Sequence, residues 1–466
     1  MTLFATLRSG FPADLETAAI IHPDGRSLTY AELLARSGGM AAALQRQGLK
    51  PGDRMVVQTT KSVEALLLYL ATLRAGIVNV PLNPDYTRVE LDYFLQDVSP
   101  GLFVDDARLA DLAGAPKASF TEASLGSDDL AAILYTSGTT GRSKGAMLSQ
   151  GNLASNATAL IREWRFTPAD RLVHALPIFH VHGLFVATHC VLGSGASMMC
   201  LPGFDADAIL DALPTSTVLM GVPTFYTRLL ARPELTPERC AGMRLFVSGS
   251  APLSAETHRA FAARSGHRIL ERYGMTETGM LSSNPYDGER VAGSVGPALP
   301  GTDIRIPDPD EGGVGGIEVR GPNVTRGYWR NPEKSAESFS ADGWFVTGDL
   351  GRVDGRGYVW IVGRAKDLFI SGGFNVYPAE VESAIEALPG VREVAVIGAP
   401  HPDFGEGVVA VIVGEVTAEA IGAALKERLA GYKRPKLLRM VDALPRNAMG
   451  KVEKAALRRE LADVFG

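Results

Sequence analysis

The chain has 466 residues, 46% hydrophobic and 21% charged, and a net charge of −6 with both signs spread along its length. This is the balance of an ordinary globular protein with a large core, divided into two or more domains. No basic tract follows the pattern of a phosphodiester-binding surface, which argues against nucleic acid and anionic membrane as partners.

Three cysteines, Cys190, Cys200 and Cys240, show no C-x-x-C spacing. Neither a zinc knuckle nor a redox motif is implied, and so few thiols suit a reducing compartment, the cytoplasm. The first ten residues lack the charged region and long apolar run of a signal peptide. The longest apolar run, residues 63–73, stops at Arg74. It falls short of the roughly 20 residues that a membrane span needs, and reads as a buried helix.

In chain order, Thr29-Tyr-Ala-Glu32 is a capping box that opens a helical pattern to Gln47, with Gly48 at its expected end. Residues 54–58 read as a strand, 62–74 as a second helix closed by Gly76, and 77–80 as another strand. The alternation predicts an α/β fold with parallel sheets covered by helices. No period of 20–50 residues marks a solenoid. Glycines crowd residues 343–373, and then Pro378 opens a helix to about residue 388 and residues 394–399 read as a buried strand. This predicts a large N-terminal domain over residues 1–365 and a small α+β C-terminal domain over 366–466.

Five segments carry the chemistry. Tyr135-Thr-Ser-Gly-Thr-Thr-Gly-Arg-Ser-Lys-Gly145 follows an apolar run and combines hydroxyls, glycines and two cations. Glycines let backbone N–H groups approach a phosphate, hydroxyls donate to its oxygens, and lysine offsets its charge. The segment does not match G-x-x-x-x-G-K-[ST], because Gly145 follows Lys144. Glu271-Arg-Tyr-Gly-Met-Thr-Glu277 leads a strand into a hydroxyl and a hard oxygen ligand suited to magnesium. Gly343-Trp-Phe-Val-Thr-Gly-Asp-Leu-Gly351 places Asp349 where it can accept from a ribose diol. The last two are Gly363-Arg-Ala-Lys-Asp-Leu-Phe-Ile-Ser-Gly-Gly-Phe-Asn-Val-Tyr-Pro378 and Pro445-Arg-Asn-Ala-Met-Gly-Lys451. Taken singly, each is also an ordinary loop, turn or surface lysine.

Together, in this order and over nearly the whole chain, the five resemble the class I adenylate-forming superfamily of acyl-CoA synthetases, luciferases and peptide-synthetase adenylation domains. The resemblance implies ATP, Mg²⁺ and CoA as reactants. It implies that Thr136, Ser137, Gly138, Thr139, Thr140, Gly141 and Lys144 hold the nucleotide's phosphates, with Thr139 also near the metal. Thr276 would contact the α-phosphate and Glu277 would bind Mg²⁺. Ser250, Ala251, Pro252 and Tyr273 would line the adenine pocket, and Asp349 with Arg364 would hold the ribose. Lys451 would bridge the acid and the α-phosphate, Lys366 would be the hinge, and Gly372 and Gly373 would line the pantetheine path. Lys451 also stands in a context resembling that modified by protein acetyltransferases.

For the acid, Leu176-Pro-Ile-Phe-His-Val-His-Gly183 resembles the family segment whose histidine, His180, borders the acyl pocket, and Met280 is a further substrate candidate. Gly221-Val-Pro-Thr-Phe-Tyr226, Val247-Ser-Gly-Ser-Ala-Pro252 and Ser283-Asn-Pro-Tyr-Asp-Gly-Glu-Arg-Val-Ala-Gly-Ser-Val-Gly296 look like the malonyl-CoA synthetase branch. That resemblance implies malonate or methylmalonate as the acid, with Arg290 pairing its distal carboxylate, since a buried unpaired carboxylate is prohibitively costly. Two alternatives stay open, a synthetase for a small monocarboxylic acid and a stand-alone enzyme that loads a carrier protein. The absence of a carrier segment after Lys451 favours free CoA over the second.

Overall fold

The computed structural model describes residues 2–115, 120–136, 143–446 and 452–465. Local signals are used as chemistry predicts. The Thr29 hydroxyl accepts from Glu32 N at 3.2 Å and the Glu32 carboxylate accepts from Thr29 N at 3.0 Å, closing the capping box of helix Tyr30–Arg46. Helix Val63–Ala75 starts at the Ser62 cap and ends at Gly76, which adopts φ +73°. Nearly every residue of this helix is buried, and it packs on helix Tyr30–Arg46 as part of the large core. Among the described residues, no helix is long and apolar enough to cross a membrane.

Two helix-covered sheets form the N-terminal part. The larger has eight strands, in the order Gly279–Ser283, Leu270–Met275, Leu245–Ser248, Val218–Gly221, Arg171–His174, Ser197–Cys200, Ala18–Ile21, Ser27–Thr29. Its inner pairs are parallel and its two outermost pairs antiparallel. The second sheet runs Leu102–Val104, Arg54–Val57, Val78–Pro81, Leu130–Thr136, Lys144–Ser149, and ends in an antiparallel hairpin. A smaller antiparallel sheet, Asp303–Arg305, Gly315–Arg320, Phe345–Val353, Val359–Arg364, brings Asp349 and Arg364 opposite each other. The sequence pattern predicts parallel sheets, and this one departs from it: its neighbouring strands pair antiparallel, and the last two, Phe345–Val353 and Val359–Arg364, are joined by a short turn.

The C-terminal part has its own sheet, built on the long hairpin Val391–His401 with Gly405–Gly414. Helices Pro378–Glu386 and Ala418–Arg428 cover one face and helix Lys454–Glu460 the other. The two resulting apolar clusters are separate from the large core.

Candidate active site

In parallel sheets, loops at the carboxyl ends of strands collect ligands. Strand Leu270–Met275 ends there in Thr276-Glu277, and turns back as Gly279–Ser283. Glu277 is buried at 5% exposure and accepts one hydrogen bond, at 3.0 Å, from the Tyr328 hydroxyl. Burial raises its carboxyl pKa above the usual range, and among the described residues it has no ion-pair partner. The Lys144 ammonium lies 5.8 Å from the centre of the same Tyr328 ring. Its pKa is lowered by burial and by the nearby Lys334. Tyr328 thus stands between the candidate metal carboxylate and the candidate phosphate lysine.

Thr136 pairs with Lys144 at the mouth of the hairpin. Ser137, Gly138, Thr139, Thr140 and Gly141 lie outside the described residues. The segments flanking them are held by helix Arg88–Val98: the Tyr93 hydroxyl donates to Ser143 O at 2.7 Å, and the Tyr135 hydroxyl donates to Asp97.

Asp349 accepts from the Tyr273 hydroxyl and pairs with Arg364 at 2.7 Å. Burial, with Asp349 beside it, drives the Tyr273 hydroxyl well above its ordinary pKa, so it remains a donor. Ser250 adopts φ +70° and exposes its loop with Ala251 and Pro252. A non-glycine residue in this region is strained, and such strain clusters at functional loops. Gly372 and Gly373, at φ +59° and +85°, make the tight turn between Phe369–Ser371 and Phe374–Val376. Lys366 sits exposed in the short helical turn Ala365–Asp367. Lys451 lies outside the described residues; Arg446 and Val452 bridge on either side of that segment.

The segment expected to border the acid forms a one-turn π-helix, His182–Ala187, directly after the half-buried His180. π-turns recur at functional sites. Gly183 permits this one, since a Cβ there would lie 2.0 Å from Pro177 O. His182 is turned inward at 5% exposure, with Nδ1 3.4 Å from Ser250 Oγ and Nε2 without a partner among the described residues. Burial and the neighbouring Arg272 hold it well below the ordinary histidine pKa, hence neutral. Met280 is buried in the returning strand and clamped by Asn156 through both backbone groups.

Arg290, expected to pair the distal carboxylate of the acid, is engaged by backbone carbonyls. Its guanidinium donates to the carbonyls of Pro285, Tyr286 and Arg268, at 3.3, 3.1 and 2.7 Å, and so closes its own loop. Arg268 precedes strand Leu270–Met275, at the end away from Thr276. At about 3.3 Å per residue the strand between them alone spans roughly 16 Å. A second arginine, Arg272, is buried beside Ser250 and His182. It is 2% exposed, its Nε has no partner, and its one side-chain hydrogen bond, to Ser250 Oγ, is 3.5 Å long. Burial pulls its guanidinium down to about 9, still cationic at neutral pH. Among the described residues no carboxylate pairs with it.

Two family models match the chain: that of the AMP-binding enzyme over residues 12–329, and that of the AMP-binding enzyme C-terminal domain over residues 380–451. The chain belongs to the AMP-binding enzyme family. It is an acid–thiol ligase of the adenylate-forming class. The fold is similar to that of ATP-bound MatB from Rhodopseudomonas palustris, with TM-score 0.95, 53% identity and 100% of both chains covered. Feruloyl-CoA synthase of Amycolatopsis sp is 36% identical over 95% of this chain and 96% of its own. The mitochondrial malonate–CoA ligase of Mus musculus is also 36% identical, over 93% of this chain and 87% of its own. Relatives named for an aromatic acid and for a dicarboxylic acid stand equally near, so the acid must be read from the pocket.

Sequence reasoning passed over Arg272, His182 and Tyr328. The signal for Arg272 was present: Glu271-Arg272 places two charges inside a strand flanked by Ile269 and Leu270. Interior strands of parallel sheets normally read as continuous apolar runs.

Proposed function

We propose that this enzyme joins malonate, or its methyl-substituted relative, to CoA through an acyl-adenylate. The observation that carries the reading is Arg272, a cation held in the interior with no anion to meet it among the described residues. A buried charge is tolerated when it is paired and hydrogen-bonded. The distal carboxylate of a short dicarboxylic acid supplies that partner, and a guanidinium's planar fork suits it. His182 supports the same reading: in the tautomer whose Nδ1 accepts from the Ser250 hydroxyl, Nε2 carries the proton and can donate to a carboxylate oxygen.

In the first half-reaction a carboxylate oxygen attacks the α-phosphorus of ATP and pyrophosphate leaves. In the second, the CoA thiol loses its proton, its sulfur attacks the acyl carbon, and AMP leaves. The first step brings a carboxylate against a polyphosphate, so fixed positive charge must meet the charge that develops. We assign Lys144, with Thr136, Ser137, Gly138, Thr139, Thr140 and Gly141, to the phosphates, Thr276 to the α-phosphate, and Lys451 to the bridge between acid and phosphate. Glu277, with Thr139, would hold Mg²⁺; the buried Glu277 carboxylate, which among the described residues meets the Tyr328 hydroxyl and no ion-pair partner, fits such an ion. When bound, Mg²⁺ offsets the polyphosphate charge. Asp349 and Arg364 would hold the ribose, Ser250, Ala251, Pro252 and Tyr273 the adenine, and His180 and Met280 would border the acid. A rotation of residues 366–466 about Lys366 would exchange Lys451 for the Gly372-Gly373 turn between the two steps.

AMP release with CoA, measured across malonate, methylmalonate, acetate, butyrate and benzoate, tests the reading. Malonate or methylmalonate should give the highest kcat/KM. A monocarboxylic acid in first place would overturn it.

A further inference from the structure

We propose that Gly249 is a specificity-determining position: its missing side chain leaves the space that the Arg272 guanidinium occupies. The proposal rests on the reading of Arg272 as the partner of the distal carboxylate. Strands Leu245–Ser248 and Leu270–Met275 pair in parallel, with Ser248 opposite Glu271. The next position along the first strand, 249, therefore comes beside 272. A Cβ built on Gly249 would lie 2.5 Å from Arg272 Cζ and 2.6 Å from both Nε and Nη1. Contacts that short are not tolerated, so one group must move.

The backbone gives no reason for a glycine at this point. Gly249 is not among the residues with positive φ, so an alanine there carries no conformational strain. Space alone demands the glycine, and what fills the space is the guanidinium. Nor can Arg272 simply swing aside. It is 2% exposed and is surrounded by Tyr226, His182 and Ser250. Tyr226 is fixed by its own bond to Val247 O at 2.6 Å and is wholly buried. Restoring ordinary contact requires a shift of about 1 Å, and misplacement on that scale can cost about a hundredfold in rate.

The test is a double-mutant cycle on Gly249→Ala and Arg272→Ala, reading kcat/KM for malonate and for butyrate, with thermal melting of every variant. Gly249→Ala alone should lower malonate kcat/KM by about tenfold to a hundredfold, with butyrate changing less than about threefold. In the Arg272→Ala background the clashing guanidinium is gone, so Gly249→Ala should change neither acid by more than about threefold, a strongly non-additive cycle. If Gly249→Ala alone unfolds, the double variant should regain its fold. Equal losses on both acids, an unchanged malonate value, or losses that multiply in the double variant would overturn the proposal. So would a double variant that stays unfolded, because the glycine would then serve something other than the arginine. The underlying reading fails by a different result: Arg272→Ala lowering malonate and butyrate alike.

Discussion

Replacing Arg272 by methionine leaves a side chain of similar length without its charge. In the wild type the guanidinium is 2% exposed and its Nε is unpartnered, so a bound carboxylate would complete it. Truncating one member of such a buried charge pair costs roughly 2–5 kcal/mol. At about 1.4 kcal/mol per factor of ten, kcat/KM for malonate should fall by roughly 30-fold to several thousandfold. Butyrate, of similar size but with an ethyl group where malonate has its second carboxylate, should be affected little or helped, because the pocket wall becomes apolar. KM for ATP should move by no more than about threefold, since Asp349, Lys144 and Glu277 are untouched and only the long 3.5 Å contact to Ser250 is lost. The assay is initial-rate AMP release for each acid in wild type and Arg272→Met, with Arg290→Met beside them. Arg290 ties three backbone carbonyls. Its loss should lower the melting temperature, at about 0.5–1.5 kcal/mol per bond, and leave the ratio of the two acids alone. Parallel loss of both acids in Arg272→Met, or a malonate-selective loss in Arg290→Met, would refute the reasoning.

Lys451→Ala should abolish acyl-adenylate formation yet still convert a supplied acyl-adenylate to the thioester. Acetylation of the same lysine by a protein acetyltransferase should act alike, since it removes the charge; mass spectrometry with the two half-reaction assays checks both. Lys366→Pro fixes φ at the proposed pivot, so adenylation should survive and thioester formation fail, seen as a burst of pyrophosphate without CoA turnover. Tyr328→Phe keeps the ring near Lys144 but removes the hydroxyl that orients Glu277. The Mg²⁺ concentration for half-maximal rate should rise several-fold, about the effect of one hydrogen bond to a charged group, and KM for the acid should hold.

Much of the fold was legible because its signals are local. The Thr29 cap, the Ser62 cap and the Gly76 stop need only a few residues each, and the structure ends those helices where such signals stand. Asp349 stood out because it sits between glycines after an aromatic strand, although its partner Tyr273 comes from 76 positions away in the chain. The acid pocket was less legible for a physical reason. Arg272 and Gly249 become neighbours through the parallel register that sets Ser248 opposite Glu271, a pairing no local pattern encodes. Arg290 drew notice because it precedes a recognisable glycine turn, but its three carbonyl bonds depend on how that loop folds back on Arg268. His182 was hidden for a similar reason, since the π-turn that points it inward depends on the close approach of Gly183 to Pro177.

The central claim is that the pocket selects a second carboxylate. The most direct measurement offers the wild-type enzyme equimolar malonate and butyrate in one vessel with ATP, Mg²⁺ and CoA, and resolves the thioesters by mass spectrometry at low conversion. The product ratio is the ratio of the two kcat/KM values. It should favour malonyl-CoA by at least about 30-fold, the lower bound set by one buried charge pair. A ratio near one, or an excess of butyryl-CoA, would contradict the claim.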